Sequence, residues 1–204
     1  MLYSFFKRLF DILFGLVGII FVILFYIIVR IIYLATGDYH RIILIQPRIG
    51  KNGKVFKFFK FRTMVINAED ELENLLKDKK LKKEYELNRK LENDPRITKA
   101  GKIIRRTSID EFPQFINILF GQMSLIGNRP YLPREKKAMG KYFNIITKTK
   151  PGLTGYWQAN LRSRGNFKER IRMDVYYSEH YSFALDTQIF FKTFATIFKK
   201  SNAK

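Results

Sequence analysis

The sequence predicts an α/β chain that is mainly α: one membrane-embedded helix, then a small compact polar domain with short strands. Three observations predict it. No side chain from Ile12 to Val29 is charged, and two short β-branched and aromatic runs then flank a glycine turn. The remainder carries the three-to-four-residue apolar spacing of helices. The chain has 204 residues, 47% hydrophobic and 16% aromatic, which is enough to bury a core and excludes disorder. We divide it at residues 1–37, the anchoring helix, and 38–204, the polar domain.

The first element is the apolar run. Leu9 to Ala35 is interrupted only by Asp11 near one end and Arg30 near the other. As a helix it is about 40 Å long, enough to cross a hydrocarbon core of ~30 Å. It is too long for a secretory h-region, and no small-residue cleavage site follows it. His40, Arg41, Arg48, Lys51 and Lys54 crowd its downstream side, which puts the polar domain in the cytoplasm by the positive-inside rule. Lys7 and Arg8 favour the same side, so the flanks alone leave crossing and re-entry both open.

Ile42–Ile45 and Val55–Phe61 read as two strands joined by a glycine-containing turn over residues 48–53. Asn67 caps a helix with Asp70 three residues on, and Leu72, Leu75 and Leu76 begin a narrow apolar stripe. Leu81, Tyr85, Leu87 and Leu91 continue it through a highly charged helical arm or hairpin that Asp94-Pro95 stops. Phe115, Ile116, Leu119 and Phe120 share one face of a short helix ending at Gly121. Pro113 is tolerated only in its first turn, so this helix should start close to Asp110 and Glu111. A loop with Gly127 and Pro130 follows, then a Pro151–Gly155 turn. The last segment, 167–200, is aromatic and basic, with Phe190, Phe191, Phe194, Ile197 and Phe198 near a helical face.

Composition narrows the chemistry. Without cysteine there is no disulfide and no thiolate metal site. His40 and His180 alone make a multi-histidine zinc centre or a serine–histidine hydrolase a poor fit. The net charge is +20, and residues 1–35 contribute only Lys7, Arg8 and Arg30 against Asp11. A polar domain this basic expects a polyanion: nucleic acid, an anionic leaflet or phosphorylated substrates. The P-loop pattern, the dinucleotide fingerprint and a repeated aromatic–basic platform for nucleic acid are all missing.

Asp110-Glu111 is an acid pair preceded by the basic cluster Arg105-Arg106-Thr107-Ser108. An aspartate at a helix N-terminus beside arginines stays ionised, available as a nucleophile or a Mg²⁺ ligand. Ser108-Ile109-Asp110-Glu111 also fits a capping box, and the residues alone put capping ahead of catalysis. Lys60-Phe61-Arg62-Thr63, Arg105-Arg106 and Arg129-Pro130 are basic elements beside turns, where arginine suits bidentate phosphate contacts. Gly127 would let backbone approach an anion closely. Trp157, with Tyr156 and Gln158, offers a stacking surface for a base or sugar, although a lone tryptophan is more often core.

Several long motifs occur in one order: Lys7-Arg8-Leu9-Phe10-Asp11, Gln46-Pro47-Arg48-Ile49-Gly50, Lys60-Phe61-Arg62-Thr63-Met64 and Asp94-Pro95-Arg96-Ile97-Thr98. After them come residues 105–114 (RRTSIDEFPQ), 121–130 (GQMSLIGNRP) and 151–158 (PGLTGYWQ). Together they cover nearly the whole chain, which resembles the small monotopic phosphoglycosyl transferases, bacterial sugar transferases of the undecaprenyl-phosphate hexose-phosphate transferase family. The resemblance implies that Asp110 and Glu111 are a catalytic dyad. Asp110 would attack the β-phosphate of a UDP-sugar, expel UMP and carry the phosphosugar to a membrane polyprenol phosphate. It implies Mg²⁺ touched by Asp110, phosphate binding by Arg105, Arg129, Lys60 and Arg62, and further substrate contacts from Gln114, Pro130, Trp157 and Gln158. The implied setting is the bacterial inner membrane with the catalytic domain facing the cytoplasm. The implied partners are membrane lipids and downstream glycosyltransferases of capsule, exopolysaccharide, O-antigen or glycoprotein assembly, with no nucleic acid. The alternatives are a membrane-anchored basic nucleic-acid-binding protein and a non-catalytic scaffold of the same fold.

The sequence departs from that family pattern in places. Ile23-Leu24 stands where the re-entrant helix usually breaks at Ser-Pro and gives no reason to kink, which favours a full span; a bend for re-entry would have to come from Gly15, Gly18 or packing against the polar domain. Asn128 replaces the first proline of the usual Gly-Pro-Arg-Pro, which should loosen that loop. Ile146 and Thr147 stand where many members have Arg and His.

Overall fold

The computed structural model describes residues 2–161 and 165–201, with side chains as far as residue 195. Helix accounts for 62% of the residues, and the strands are short, as the sequence predicts. The chain divides into two compact units. Unit 1 holds residues 1–17, 46–58 and 114–204, and unit 2 holds residues 18–45 and 59–113.

Helix α1 is a single uninterrupted helix, Leu2–Ala35. At ~1.5 Å per residue it is about 50 Å long. It is long and apolar enough to cross a membrane, and 22% of its most apolar window is buried within the protein. The chain passes through it without a break at Ile23-Leu24, Gly15 or Gly18. Gly15 serves packing instead: a Cβ there would come 2.6 Å from the Leu119 side chain, so glycine admits that leucine.

Strands β1 (Ile43–Ile49) and β2 (Val55–Phe61) pair in a two-stranded sheet. The first strand outruns the expected one, through Pro47 to Ile49, because an edge strand tolerates proline. The turn is a 3₁₀ turn at Lys51–Gly53 with Asn52 at φ 56° and Gly53 at φ 76°. Helices α2 (Ala68–Leu75) and α3 (Lys79–Asn88) form the charged arm. Asn67 precedes α2 but does not cap it; its amide donates to Glu71 Oε1 at 3.2 Å instead. Asp78 is the true cap, of α3, accepting from Lys80 and Leu81 N–H. The arm ends at Arg89, in left-handed geometry, before the Asp94-Pro95 stop is reached.

Helix α4 (Lys99–Thr107) opens with Thr98 accepting the Gly101 N–H and closes at Ser108, left-handed with φ 58°. A 3₁₀ turn, Ile109–Glu111, follows, and α5 (Gln114–Leu119) begins after Pro113. The apolar face of α5 differs from the expected one. Ile118 and Asn117 are fully buried while Phe120 is 69% exposed. Asn117 tolerates the interior because its amide donates to Lys57 O at 2.6 Å and Gln122 Oε1 at 2.7 Å.

Strands β3 (Ser124–Ile126) and β4 (Gly152–Thr154) pair in parallel, with Ser124 opposite Gly152 and Ile126 opposite Thr154. Between them lie α6 (Lys136–Met139) and α7 (Phe143–Ile146). Helices α8 (Tyr156–Asn160), α9 (Phe167–His180) and α10 (Phe183–Ser201) complete the chain. The 167–200 segment is therefore two helices. Phe191 and Phe194 of α10 face outward while Ile189 is buried; the Ile197 and Phe198 side chains lie outside the described residues.

In unit 1 the start of α1 is bonded to later polypeptide. Arg8 donates to the last carbonyls of α5, Ile118 O at 2.6 Å and Leu119 O at 2.7 Å, where the helix dipole favours a cation. Buried Asp11 accepts from Ser124 Oγ at 2.9 Å and Leu125 N–H at 2.8 Å. Lys7 pairs with Asp186, which also accepts from Tyr3 and Tyr177. In unit 2 the downstream part of α1 supplies Val29 and Tyr33 to a core with Ile42, Phe61, Ala100 and Ile104.

Candidate active site

The sequence-derived candidates divide between the units. Lys60, Arg62, Arg105, Asp110 and Glu111 are in unit 2, and Gln114, Arg129, Pro130, Trp157 and Gln158 are in unit 1.

The dyad sits on the 3₁₀ turn that leaves α4, with Asp110 half-buried and Glu111 exposed. The expected capping box is not formed. Ser108 is the left-handed C-cap of α4 and makes no side-chain cap bond into the turn, and the Glu111 N–H reaches the Ser108 carbonyl at 3.3 Å. Two neighbours fix this turn. On one side is Arg105, one helical turn upstream, whose Nε donates to Thr63 Oγ1 at 2.9 Å. Burial pushes the Arg105 guanidinium down from its ordinary value, while the carboxylates of Asp110 and then Asp94 hold it up. It therefore stays charged beside Asp110. On the other side is Phe112, whose ring packs edge-on against Phe25 of α1 at 4.5 Å and lies 6.2 Å from Phe21. The residue after the dyad is thus pinned to the apolar helix.

Thr63 holds the Arg105 side chain, a contact the sequence did not reveal. It is buried and opposes Gly101, where a Cβ would fall 2.0 Å from the Thr63 carbonyl oxygen. Only glycine lets α4 approach this closely. Beside it, Arg62 is buried and spends its guanidinium on Arg41 O, Met64 O and Asp38 Oδ1, at 2.8, 3.0 and 2.9 Å, with Tyr33 beneath. Asp94 and Arg96 form a buried two-point ion pair, with Nη2 to Oδ2 at 2.6 Å, and Arg96 also reaches Ala68 O. Lys60 is half-buried at the end of β2.

In unit 1, Arg129 stands among cations. Burial and then Arg129 push Arg48 down to about 9, with Arg134 and Arg170 adding to the push and Glu135 opposing it. Arg48 itself donates to Pro130 O at 3.0 Å and Gln46 Oε1 at 2.8 Å. Two carboxylates, Glu135 and Asp174, share this region with Arg48, Arg129, Arg134 and Arg170. The surplus positive charge suits a phosphate.

Trp157 is buried, its ring under the Arg170 guanidinium at 5.5 Å, which is the core reading of that residue. Gln158 is half-buried, and Gln114 and Pro130 are buried. The loop around Gly127 differs from expectation. The space at Gly127 is taken by the protein's own backbone, since a Cβ there would come 2.5 Å from Lys150 O. Nor is the loop loosened by Asn128, which is buried and donates to Ile146 O at 3.0 Å and Ser178 Oγ at 2.6 Å. The asparagine ties the loop to α7 and α9.

Among the described residues, no three His, Cys, Asp or Glu side chains cluster to cage a metal. Asp110 and Glu111 on one turn offer hard oxygen donors. That set fits Mg²⁺, which takes one or two carboxylates and completes its shell with substrate phosphates and water.

The chain is mainly helical, with an apolar N-terminal helix and an Asp-Glu turn backed by arginine, and comparison with known proteins gives the family. The bacterial sugar transferase model matches residues 2–200, and the chain belongs to that family. It is 39% identical over 199 residues to an uncharacterized sugar transferase of Haemophilus influenzae, covering 97% of this chain and 42% of that protein. It is 37% identical over 200 residues to the UDP-galactose-lipid carrier transferase of Erwinia amylovora, covering 98% and 42%. It is 36% identical over 200 residues to the undecaprenyl-phosphate galactose phosphotransferase of Salmonella typhimurium, again covering 98% and 42%. The chain spans about two fifths of the length of these relatives.

Proposed function

We propose that this protein moves a sugar phosphate from a UDP-sugar to undecaprenyl phosphate at the cytoplasmic face of a bacterial membrane, with Asp110 as nucleophile. An Asp110 carboxylate oxygen attacks the β-phosphorus. The bond from that phosphorus to the bridging oxygen breaks, and UMP leaves with the electron pair. A polyprenol phosphate oxygen then attacks the same phosphorus, the aspartyl oxygen departs, and a polyprenol diphosphate sugar results. Arg105 sets positive charge beside the Asp110 carboxylate and, with Lys60, holds phosphate oxygens, while Arg129 offers a further phosphate contact within unit 1. Arg62 ties together the backbone at Arg41 and Met64. Glu111 and Asp110 would hold Mg²⁺, which when bound supplies charge neutralisation for the diphosphate. Phosphoryl transfer rests on such positioning and electrostatics more than on a histidine base.

The observation that carries this reading is the turn itself. Asp110 lies between Arg105 and a Phe112 ring fixed to α1, which keeps the nucleophile with the helix that meets the lipid. A lipid-linked acceptor explains why the chemistry is tied to an apolar helix. The names of the relatives support both substrates: a UDP-sugar donor and an undecaprenyl-phosphate acceptor.

The test is UMP release from a panel of UDP-sugars in nanodiscs containing undecaprenyl phosphate, with EDTA and Mg²⁺ arms. Wild type should release UMP with one sugar and lose the activity on chelation. Asp110→Asn should stay folded and release none, because an amide cannot form the acyl phosphate. Turnover by Asp110→Asn within tenfold of wild type would contradict the mechanism.

A further inference from the structure

A groove of about 730 Å³ opens on unit 1 beside α6 and α7, lined by Arg134, Lys136, Lys137, Gly140, Lys141 and Phe143. All of its charges are positive. Glu135, the one acid in residues 131–150, is turned inward: it accepts the Leu132 N–H at 2.7 Å and pairs with Arg170 at 3.3 Å. Lys136 Nζ rides over the Phe143 ring at 4.7 Å, so the ring steadies the side chain at the groove wall.

A second groove, about 830 Å³, shares Asn144 with the first and is bounded by Tyr3, Lys148, Glu179, Tyr181 and Phe183. Leu2 and Phe5, beside Tyr3 at the start of α1, are exposed, as is Phe183. Within unit 1, therefore, a cationic groove adjoins, at Asn144, an aromatic lip that is formed partly by the first turn of an apolar helix and balances Lys148 against Glu179. A soluble anion has no use for the lip. A phosphate head joined to an acyl tail matches both halves. Lysines, mobile point charges with no fixed fork, suit a head group that exchanges within a fluid leaflet.

We propose that this groove binds the phosphate head group of an anionic phospholipid, a second lipid contact separate from the transfer site. The inference rests on the membrane reading above and on none of the catalytic roles. The experiment is flotation of the full-length protein from detergent with phosphatidylcholine vesicles, and with the same vesicles doped with phosphatidylglycerol. Phosphatidylglycerol should raise capture, and each neutralised groove lysine should lower that preference about fivefold. Lys136→Gln/Lys137→Gln/Lys141→Gln should therefore lose it while floating normally on phosphatidylcholine, with unchanged circular dichroism. Lys79→Gln/Lys80→Gln/Lys83→Gln, which removes equal charge from the unit 2 arm, should keep it.

Equal loss in both triple variants would show a net-charge effect and overturn the proposal. So would competition by inorganic phosphate beyond that of chloride at matched ionic strength, which would make the groove a free-anion site. Failure to float even on phosphatidylcholine would remove the membrane reading and this proposal together.

Discussion

Asp174 shows what one buried carboxyl costs and how that cost varies with pH. Burial pushes it up to about 7, while the Tyr131 hydroxyl that it accepts, and Arg170 and Arg129, pull the other way. In the unfolded chain an aspartate titrates near ~3.9. Between those values the native state holds a proton that the unfolded chain has released, so stability from this group falls as pH rises from about 4 to about 7 and is level above. Asp174→Asn removes the titration and keeps the shape. Thermal unfolding in detergent should therefore show wild type gaining on the variant as pH drops from 7 towards 5; a constant difference would exclude this role. Residue-scale roles of this kind were poorly legible in the sequence. Asp110 and Arg105 drew notice as a carboxylate pair after arginines, although the residues alone favoured capping and the family resemblance carried the catalytic expectation. Arg62 looks like Arg105 in a string of letters, and only its three protein acceptors distinguish a structural guanidinium from the one beside Asp110.

At the scale of elements, the α4–turn unit depends on a close approach. The Thr63 backbone occupies the place of a Cβ on Gly101, and Thr63 Oγ1 is the acceptor for Arg105 Nε. Gly101→Ala should force the helix away, costing about 1–3 kcal/mol as overpacking. It should also reduce UMP release, because Arg105 loses its register. Wild-type stability and turnover in the alanine variant would show that the approach is slack.

The long periodic elements were legible because period carries the signal: the apolar helix, the β1–β2 hairpin and the charged arm all came through. The three-residue strands β3 and β4 were not, being too short for alternation to register and containing Gly152 in place of a β-branched residue. The capping box failed for a related reason. Ser108-x-x-Glu111 matches its letters, but Ser108 had already been taken as the left-handed end of the preceding helix. The stripe on α5 misled because buried Asn117 finds partners outside its own helix, in Lys57 O and Gln122, which no local pattern announces.

At the scale of the whole molecule, α1 is bonded at both ends to polypeptide that follows it. Lys7, Arg8 and Asp11 hold residues 118–186, and Val29 and Tyr33 sit in the unit 2 core. Leu13, Leu16, Ile20, Ile23, Leu24 and Ile27 of α1 are exposed, the apolar surface a membrane would cover. The sequence flanks, with Lys7 and Arg8 matching the positive run His40–Lys54, raised entry and exit on one face, although no break interrupts the helix. A single cysteine at exposed Ser4, in this cysteine-free chain, should be protected from a membrane-impermeant thiol reagent until cells are opened. Labelling of intact cells would establish a span.

Whether Asp110 carries the phosphosugar is read by mass spectrometry of the protein incubated with Mg²⁺ and its UDP-sugar in the absence of polyprenol phosphate. UMP should appear in solution with one added sugar phosphate on the peptide containing Asp110, lost when the acceptor is supplied and never formed in Asp110→Asn. Unmodified protein, with UMP appearing only once acceptor is present, would contradict the covalent intermediate and point to direct transfer between the two substrates.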